Sequence, residues 1–221
     1  MSKVRLVCKS IPEAWTNSPS PEALVAYIAR VSNPSNQNNL ETATRLVKYL
    51  IEHEHWSPFE LVSLTMEIST TRDIARQILR HRSFSFQEFS QRYATAELEH
   101  SVTREARMQD TKNRQNSIPC TNEYIRYEWY KKQCHVMDEA RKTYEWALEN
   151  GIAKEQARAV LPEGTTTSRI FMAGTLRSWM HYCQLRMKNG TQKEHAEIAK
   201  ECWGIITEQF PQIALAYEQS S

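Results

Sequence analysis

Glycine is scarce. The 221 residues contain five, Gly151, Gly164, Gly174, Gly190 and Gly204, and their spacing rules out a GxGxxG or GxxxxGK loop. Without such a loop the backbone offers no phosphate cradle, so any phosphate or nucleotide must be held by side chains. The five cysteines, Cys8, Cys120, Cys134, Cys183 and Cys202, are odd in number, widely spaced and include no CxxC pair. That pattern argues against a disulfide framework or a zinc ribbon and fits a reduced, cytoplasmic setting. Long apolar runs are lacking too. Nothing approaches the ~20 apolar residues of a membrane span, and the opening MSKVRLVCKSIPEAW has no apolar core long enough for a signal peptide. Excess charge of one sign is also missing, with 28 Lys and Arg against 26 Asp and Glu and a formal charge of +2. Bulk charge therefore does not favour non-specific nucleic-acid binding.

What is present is a chain long enough for one domain with a substantial core. VRLVC (4–8) alternates like a short strand. SPEALVAYIARVS reads as a helix with Ser20 as cap and Pro21 at its first position. NNLETATRLVKYLIEHEHW reads as a second helix, opened by a capping box of Asn38 and Glu41. In LVSLTMEIST the period drops to two, with Val62, Leu64, Met66 and Ile68 on one face, as in a half-buried strand. TTRDIARQILR returns to helical spacing, capped by Thr70 or Thr71, and 83–93 reads as extended or irregular. Residues 101–120 are polar and aperiodic, the pattern of a long loop. A long amphipathic helix follows and ends at Gly151, then a short helix to Pro162, an extended TTTSRIFMAG and a helical LRSWMHYCQLRM. The last helix read from the sequence, TQKEHAEIAKECWGIITEQF, opens with a Thr191 and Glu194 capping box. This order predicts one α+β domain over 1–221, with a small mixed or antiparallel sheet packed against several helices.

The chemistry-bearing residues concentrate in RHRSFSFQEFSQRY, 80–93, where Arg80, His81, Arg82 and Arg92 sit among four aromatic rings. Arg72, Arg76 and Arg80 recur every four residues and would line one helical stripe, with Gln77 beside Arg80. A guanidinium removed from water needs an anion. Two sources are open: Glu60, Glu67, Asp73 and Glu88 as internal ion pairs, or the phosphates of a nucleotide-like ligand beside an aromatic wall. The same residues also suit a single-stranded nucleic-acid groove with stacking rings. His53 and His55 have a spacing seen in metal sites, but no third ligand is specified and a solvated pair explains them, so no metal is assigned. Ser90 fits an anion-positioning hydroxyl more economically than a nucleophile, which would need a placed general base.

RHR, seven intervening residues and Ser90 resemble the signature of the flavin-dependent thymidylate synthases. HEHWSPFE is similar to that family's H-x-(S/T)-P-F-E segment, ARQILRHR to its helix entering the signature, ARAVLP to its A-R-x-x-L-P segment and LRSWMHYCQLR to its R-S-x-x-(N/H)-x-x-x-L-R helix. The matches keep their order from about residue 53 to about 186. The segment after Arg186, MKNGTQKEH, departs from the family's usual Ala-Gln-x-Glu run.

The resemblance implies an enzyme that methylates dUMP to dTMP, with methylenetetrahydrofolate as one-carbon donor and NADPH-reduced FAD as hydride source. It implies FAD contacts from His55, Ser57, Arg80, His81, Arg82, Glu88, Arg177 and His181, with Thr175 or Gly174 completing them. For dUMP it implies Gln77 and Arg80 from one subunit and Glu88, Ser90, Gln91 and Arg92 from its neighbour, together with Arg158. Arg186 is the implied catalytic residue, contacting the uracil and favouring ionisation at N3. The implied assembly is a homotetramer with shared active sites, with no nucleic-acid or membrane partner. Such an enzyme needs no glycine loop, because the flavin carries its own reactivity and arginine matches phosphate oxygens bidentately.

Overall fold

Alternation along LVSLTMEIST has the consequence expected of it. In the computed structural model, which describes residues 3–96 and 102–220, this stretch is β2 (Ser63–Thr71), with Leu64, Met66 and Ile68 buried. It pairs with β1 (Lys3–Lys9) on one side and with β6 (Thr167–Thr175) on the other, and β6 also pairs with β3 (Phe84–Glu88). All three pairings are antiparallel, so the sheet has the order β1-β2-β6-β3 and no parallel member.

The apolar side of this sheet lies in one core with helices α1 (Pro21–Ala29), α2 (Ala43–Glu52), α3 (Arg72–Ile78), α6 (Leu176–Arg186), α7 (Lys193–Gln209) and α8 (Pro211–Ser220). Ser20 caps α1 as expected, its hydroxyl accepting from the Ala23 N–H at 3.2 Å. Trp179 fixes α6 against the sheet, with its ring fully buried and Nε1 donating to the Leu64 carbonyl at 3.2 Å. Such bonds let a large ring bury its polar handle without penalty.

Four local expectations fail, each for a visible reason. The Asn38 and Glu41 capping box does not form; α2 starts at Ala43, and it is Asn39 that accepts from the Thr42 N–H at 3.3 Å. The Thr191 and Glu194 box is also absent. Glu194 is instead drawn to two guanidinia, Arg107 at 2.5 Å and Arg104 at 3.3 Å, and ion-paired bonds outcompete a neutral amide donor. Helix α3 ends at Ile78, so Arg80 lies in the turn beyond it and the three-arginine stripe is not completed. Finally, the described part of 101–120 contains a hairpin, β4 (Arg107–Gln109) with β5 (Ser117–Pro119). Asp110 makes its turn, the carboxylate accepting from the Lys112 N–H at 2.8 Å and from Asn116 Nδ2 at 2.9 Å, an Asx turn that hides in a polar sequence.

The long helix is α4 (Glu123–Glu149), capped by Asn122, and Gly151 follows it at φ +77°, the left-handed conformation that glycine adopts at low cost. Only Gln133, Tyr144 and Ala147 of α4 are buried. Gln133 grips the backbone of Arg104 with both ends of its amide, and Tyr144 joins a small core of its own with Ala96, Ala147, Ala157 and Leu161. α5 (Lys154–Ala157) runs directly into a single 3-10 turn, Arg158–Val160. No helix of the described residues is long and apolar enough to cross a membrane.

Candidate functional site

The four acids open as internal partners of the cationic stretch are all engaged, three of them with other cations. Glu67 pairs with Arg5 and Asp73 with Arg104, each at 2.8 Å, and Glu60 pairs with Arg177. Glu88 accepts from the Ser168 hydroxyl at 2.8 Å. Among the described residues, Arg80 and Arg82 have no carboxylate within ion-pair distance, and both are exposed at the end of α3. The internal ion-pair reading therefore fails for these two.

Three groups of residues come together. The first surrounds the N-terminal half of α6. Thr175 caps that helix, its Oγ1 accepting from the Ser178 N–H at 3.2 Å, and the Ser178 hydroxyl reaches the Ser83 carbonyl at 3.3 Å, tying α6 to the strand that follows Arg82. In the first turn of α6 Arg177 meets Glu60, and one turn on the His181 ring stands edge-on to Trp56 at 4.8 Å. Glu60 and Trp56 bracket Ser57 in the turn Ser57–Leu61, whose Pro58 and Phe59 are buried and anchor it. Ser57, Thr175, Arg177 and His181 thus gather along one seam, while the His55 ring lies beside Tyr49 at 6.1 Å. Burial, and then the Arg177 charge, lower the pKa of His181, so its ring is neutral at pH 7. Arg177 Nε is buried without a hydrogen-bond partner among the described residues.

The second group lies between α3, the C-terminal end of α6 and the start of α7. Arg186 Nε donates to His81 Nε2 at 2.9 Å. Burial, and then the neighbouring Arg186 charge, press the His81 pKa down to about 4, so His81 is a neutral acceptor. Gln77 donates from Nε2 to Gln192 Oε1 at 2.8 Å, and its Oε1 lies 3.2 Å from His195 Nδ1. His195 is fully buried and its Nε2 lies 3.1 Å from the Tyr182 hydroxyl. Arg186 has no carboxylate within ion-pair distance among the described residues, so its charge is uncompensated.

The third group sits where β3 ends. Glu88, Ser90, Gln91 and Arg92 leave the strand here, and Arg92 reaches Glu155 of α5 at 3.5 Å. The Arg158 Nε–H donates to the Glu155 carbonyl at 3.4 Å, which draws Arg158 to the same place. The Ser90 hydroxyl accepts from the Arg92 N–H at 3.4 Å. Gln91 is buried with its Nε2 unpartnered among the described residues. Phe84 lies opposite Gly174 and Glu88 opposite Ile170, so this group is displaced along β3 by four residues, roughly 14 Å at strand rise. Among the described residues no hydrogen bond or ion pair joins Gln77, Arg80 or Arg186 to Glu88, Ser90, Gln91, Arg92 or Arg158, so within one chain the residues expected to hold dUMP fall into two groups.

Sequence reasoning did not single out Gln192, His195, Tyr182, Arg104 or Lys154, whose ammonium donates to the Tyr93 carbonyl at 3.1 Å. One signal was available: His195 falls on the buried stripe of α7 with Ile198, Ala199, Cys202 and Ile206, where a polar ring needs partners. Among the expected aromatics, Phe84 is buried, Phe86 packs on the core, and Tyr93 is exposed. His53 stacks on Tyr49 with ring centroids 3.9 Å apart and donates from Nδ1 to the Tyr49 carbonyl.

A family model described as thymidylate synthase complementing protein matches residues 14–212. The chain is 51% identical over 197 residues to a probable flavin-dependent thymidylate synthase of Paramecium bursaria Chlorella virus 1, covering 89% of this chain and 90% of that one. It is 48% identical over 217 residues to the flavin-dependent thymidylate synthase of Synechocystis sp., covering 97% and 99%. Its fold is similar to the crystal structure of the UMP/dUMP methylase PolB from Streptomyces cacaoi bound with 5-Br dUMP, with TM-score 0.85, 25% identity and coverage of 99% and 95%.

Proposed function

The chain belongs to the flavin-dependent thymidylate synthases, and from that membership we propose that it converts dUMP to dTMP with methylenetetrahydrofolate and NADPH. When bound, FAD supplies the hydride, which it takes from NADPH. The residues fit such a cofactor. Arg80 and Arg82 are exposed cations with no carboxylate beside them among the described residues, and Arg177 Nε is buried and orphaned. A diphosphate satisfies all three more fully than water does. Ser57, Thr175 and His181 line the rest of the seam, His55 and His81 complete the cofactor's surroundings, and Glu88 stands between flavin and substrate.

The single observation that carries the reading is the state of Arg186. Its guanidinium leans on a neutral imidazole rather than a carboxylate, so its full charge is left for an anion. One of its five N–H donors is spent on His81 and the others remain free for the uracil carbonyl and N3. Placed there, the cation favours the N3 anion, and the added electron density on the ring makes C5 a better nucleophile. A preorganised charge aimed at developing negative charge is among the strongest catalytic devices. His81 holds the fork in position without dissipating its field.

The dUMP site is completed across subunits, with Gln77, Arg80 and Arg186 from one chain and Glu88, Ser90, Gln91, Arg92 and Arg158 from another. What supports this is the separation along β3 described above. The homotetramer it requires is supported by α4, which exposes Tyr124, Tyr127, Trp129, Tyr130, Val136 and Trp146, more apolar surface than a lone helix in water tolerates. Ser90 positions the phosphate and performs no covalent chemistry.

The test combines two measurements. Denatured protein releases FAD, and dTMP forms only when dUMP, methylenetetrahydrofolate and NADPH are all supplied. Arg186→Ala abolishes dTMP formation while circular dichroism stays unchanged. Protein that never retains flavin after soaking, or an Arg186→Ala variant with near-normal turnover, overturns the assignment.

A further inference from the structure

Gln77 belongs to a chain of hydrogen bonds that continues behind it into the buried interior. It runs from Tyr182 through His195 and Gln77 to Gln192, with spacings of 3.1, 3.2 and 2.8 Å. Gln77 Oε1 can only accept, so His195 Nδ1 carries the proton facing it. A neutral ring then presents Nε2 as an acceptor, and the Tyr182 hydroxyl donates to it. Every bond points the same way, from Tyr182 toward Gln192.

We propose that His195 and Tyr182 are positioning residues that lock the Gln77 amide in one orientation, so that dUMP meets a fixed donor and a fixed acceptor. An unsupported glutamine on the rim of a site turns freely about its last torsion, and the two ends of its amide exchange places. Here rotation would set the amide NH2 against the Nδ1–H of His195; relief would require the ring to shift its proton to Nε2, the Tyr182 hydroxyl to turn from donor to acceptor and Gln192 to turn as well, because the ring cannot answer by swinging away. It is fully buried on the inner stripe of α7 and wedged against Tyr182, with ring centroids 5.8 Å apart. Nor can it readily gain a second proton: burial, followed by the charge of Arg186 and the proximity of His81, brings its pKa to about 3. Tyr182 is buried as well, and its ring also stands edge-on to His81 at 4.9 Å. The same two side chains therefore back both Gln77 and the imidazole that holds Arg186.

The inference rests on the dUMP reading of Gln77. Its test uses the full-length, FAD-loaded enzyme and the variants His195→Leu, His195→Asn and Tyr182→Phe. Leucine fills the space but offers no donor, whereas the asparagine amide places a donor close to where Nδ1 stood. The expected result is a rise of about tenfold in KM for dUMP in His195→Leu, the order of effect of losing one buried hydrogen-bond partner. kcat and flavin content should change much less, and His195→Asn should recover part of the loss. A merely structural histidine predicts the reverse ranking, because leucine suits an apolar stripe better than asparagine does. Tyr182→Phe keeps the ring and deletes only the donor, so it decides the matter if His195→Leu does not fold, with an expected KM rise of several-fold. An active wild-type enzyme whose His195→Leu or folded Tyr182→Phe variant keeps the normal dUMP KM overturns the inference and leaves the proposed function standing. A wild-type protein that neither binds dUMP nor makes dTMP overturns both.

Discussion

Gly174→Ala is the most revealing single methyl that could be added to this protein. Gly174 faces Phe84 across the β6 and β3 pairing, and a β-carbon at that position would lie 2.4 Å from Phe84 Cδ1 and 2.6 Å from Cε1. Carbon atoms pack at about 3.5–4.0 Å, so the ring must retreat by more than roughly 1 Å. Inward movement is blocked, because Phe84 stands edge-on to Trp179 at 4.9 Å and to Tyr182 at 5.9 Å, both buried. Overpacking of this kind costs about 1–3 kcal/mol. Replacing a strand glycine by alanine returns roughly 0.5–1 kcal/mol through lower unfolded-state entropy. The net expectation is a loss of about 1–2 kcal/mol, read from urea unfolding. The mechanism makes a sharper demand on a double-mutant cycle with Phe84→Leu. A smaller side chain leaves room for the methyl, so the double variant should be more stable than the sum of the single losses by about 1 kcal/mol. FAD retention should fall in Gly174→Ala and recover in the double variant, because Phe84 follows Ser83, which is tied to α6, and Arg82. Additive losses, or a Gly174→Ala protein as stable as the parent, would refute the argument from close approach.

Acid should destabilise the fold well before the carboxylates titrate. His81 and His195 have folded pKa values lowered to about 4 and about 3, against an ordinary 6.5. Below pH 6.5 the unfolded chain binds protons that the folded chain refuses, so stability is fully present above 6.5 and falls as the pH drops toward those values. For His195 alone the loss between pH 7 and 5 is about 2 kcal/mol, the slope reaching about 1.4 kcal/mol per pH unit once the unfolded imidazole is fully protonated. Half-buried His81 adds a smaller, solvent-screened share. A urea midpoint that does not move between pH 7 and 5 would contradict the burial of neutral rings. Arg104→Ala tests a different joint, since Arg104 binds Asp73 at 2.8 Å, Glu194 at 3.3 Å and the Gly164 carbonyl at 3.2 Å. Removing the cation leaves partly buried Asp73 without an ion-pair partner among the described residues and Glu194 with Arg107 alone, a loss of about 2 kcal/mol in urea unfolding, and Arg104→Lys should recover little because one ammonium cannot span those acceptors. A loss below about 1 kcal/mol would show that the network is solvated.

Much of the scaffold was legible from periodicity alone. The two-residue alternation of β2 and the Ser20 and Pro21 start of α1 are local signals, and local chemistry decided them. The site was legible only in part. The scarcity of glycine required side chains to hold any phosphate, and the family resemblance of the ordered motifs implied which ones. The sequence could not say that Arg80 and Arg82 would have no acidic partner among the described residues, because Glu67 and Asp73 found Arg5 and Arg104, 62 and 31 residues away. Glu194 was lost as a helix cap for the same reason: ion pairs are chosen by distance in space, and a stronger partner from another element displaces the neighbour in sequence. The Asp110 turn was hidden because its polar residues resemble any loop. His195 and Tyr182 belong wholly to tertiary structure, since a histidine on an apolar stripe acquires a role only when folding brings Gln77 and a tyrosine hydroxyl to its two nitrogens. Composition thus limited how this chain could hold a phosphate, the ordered motifs carried the family resemblance, and packing decided which cations were left without an acidic partner among the described residues.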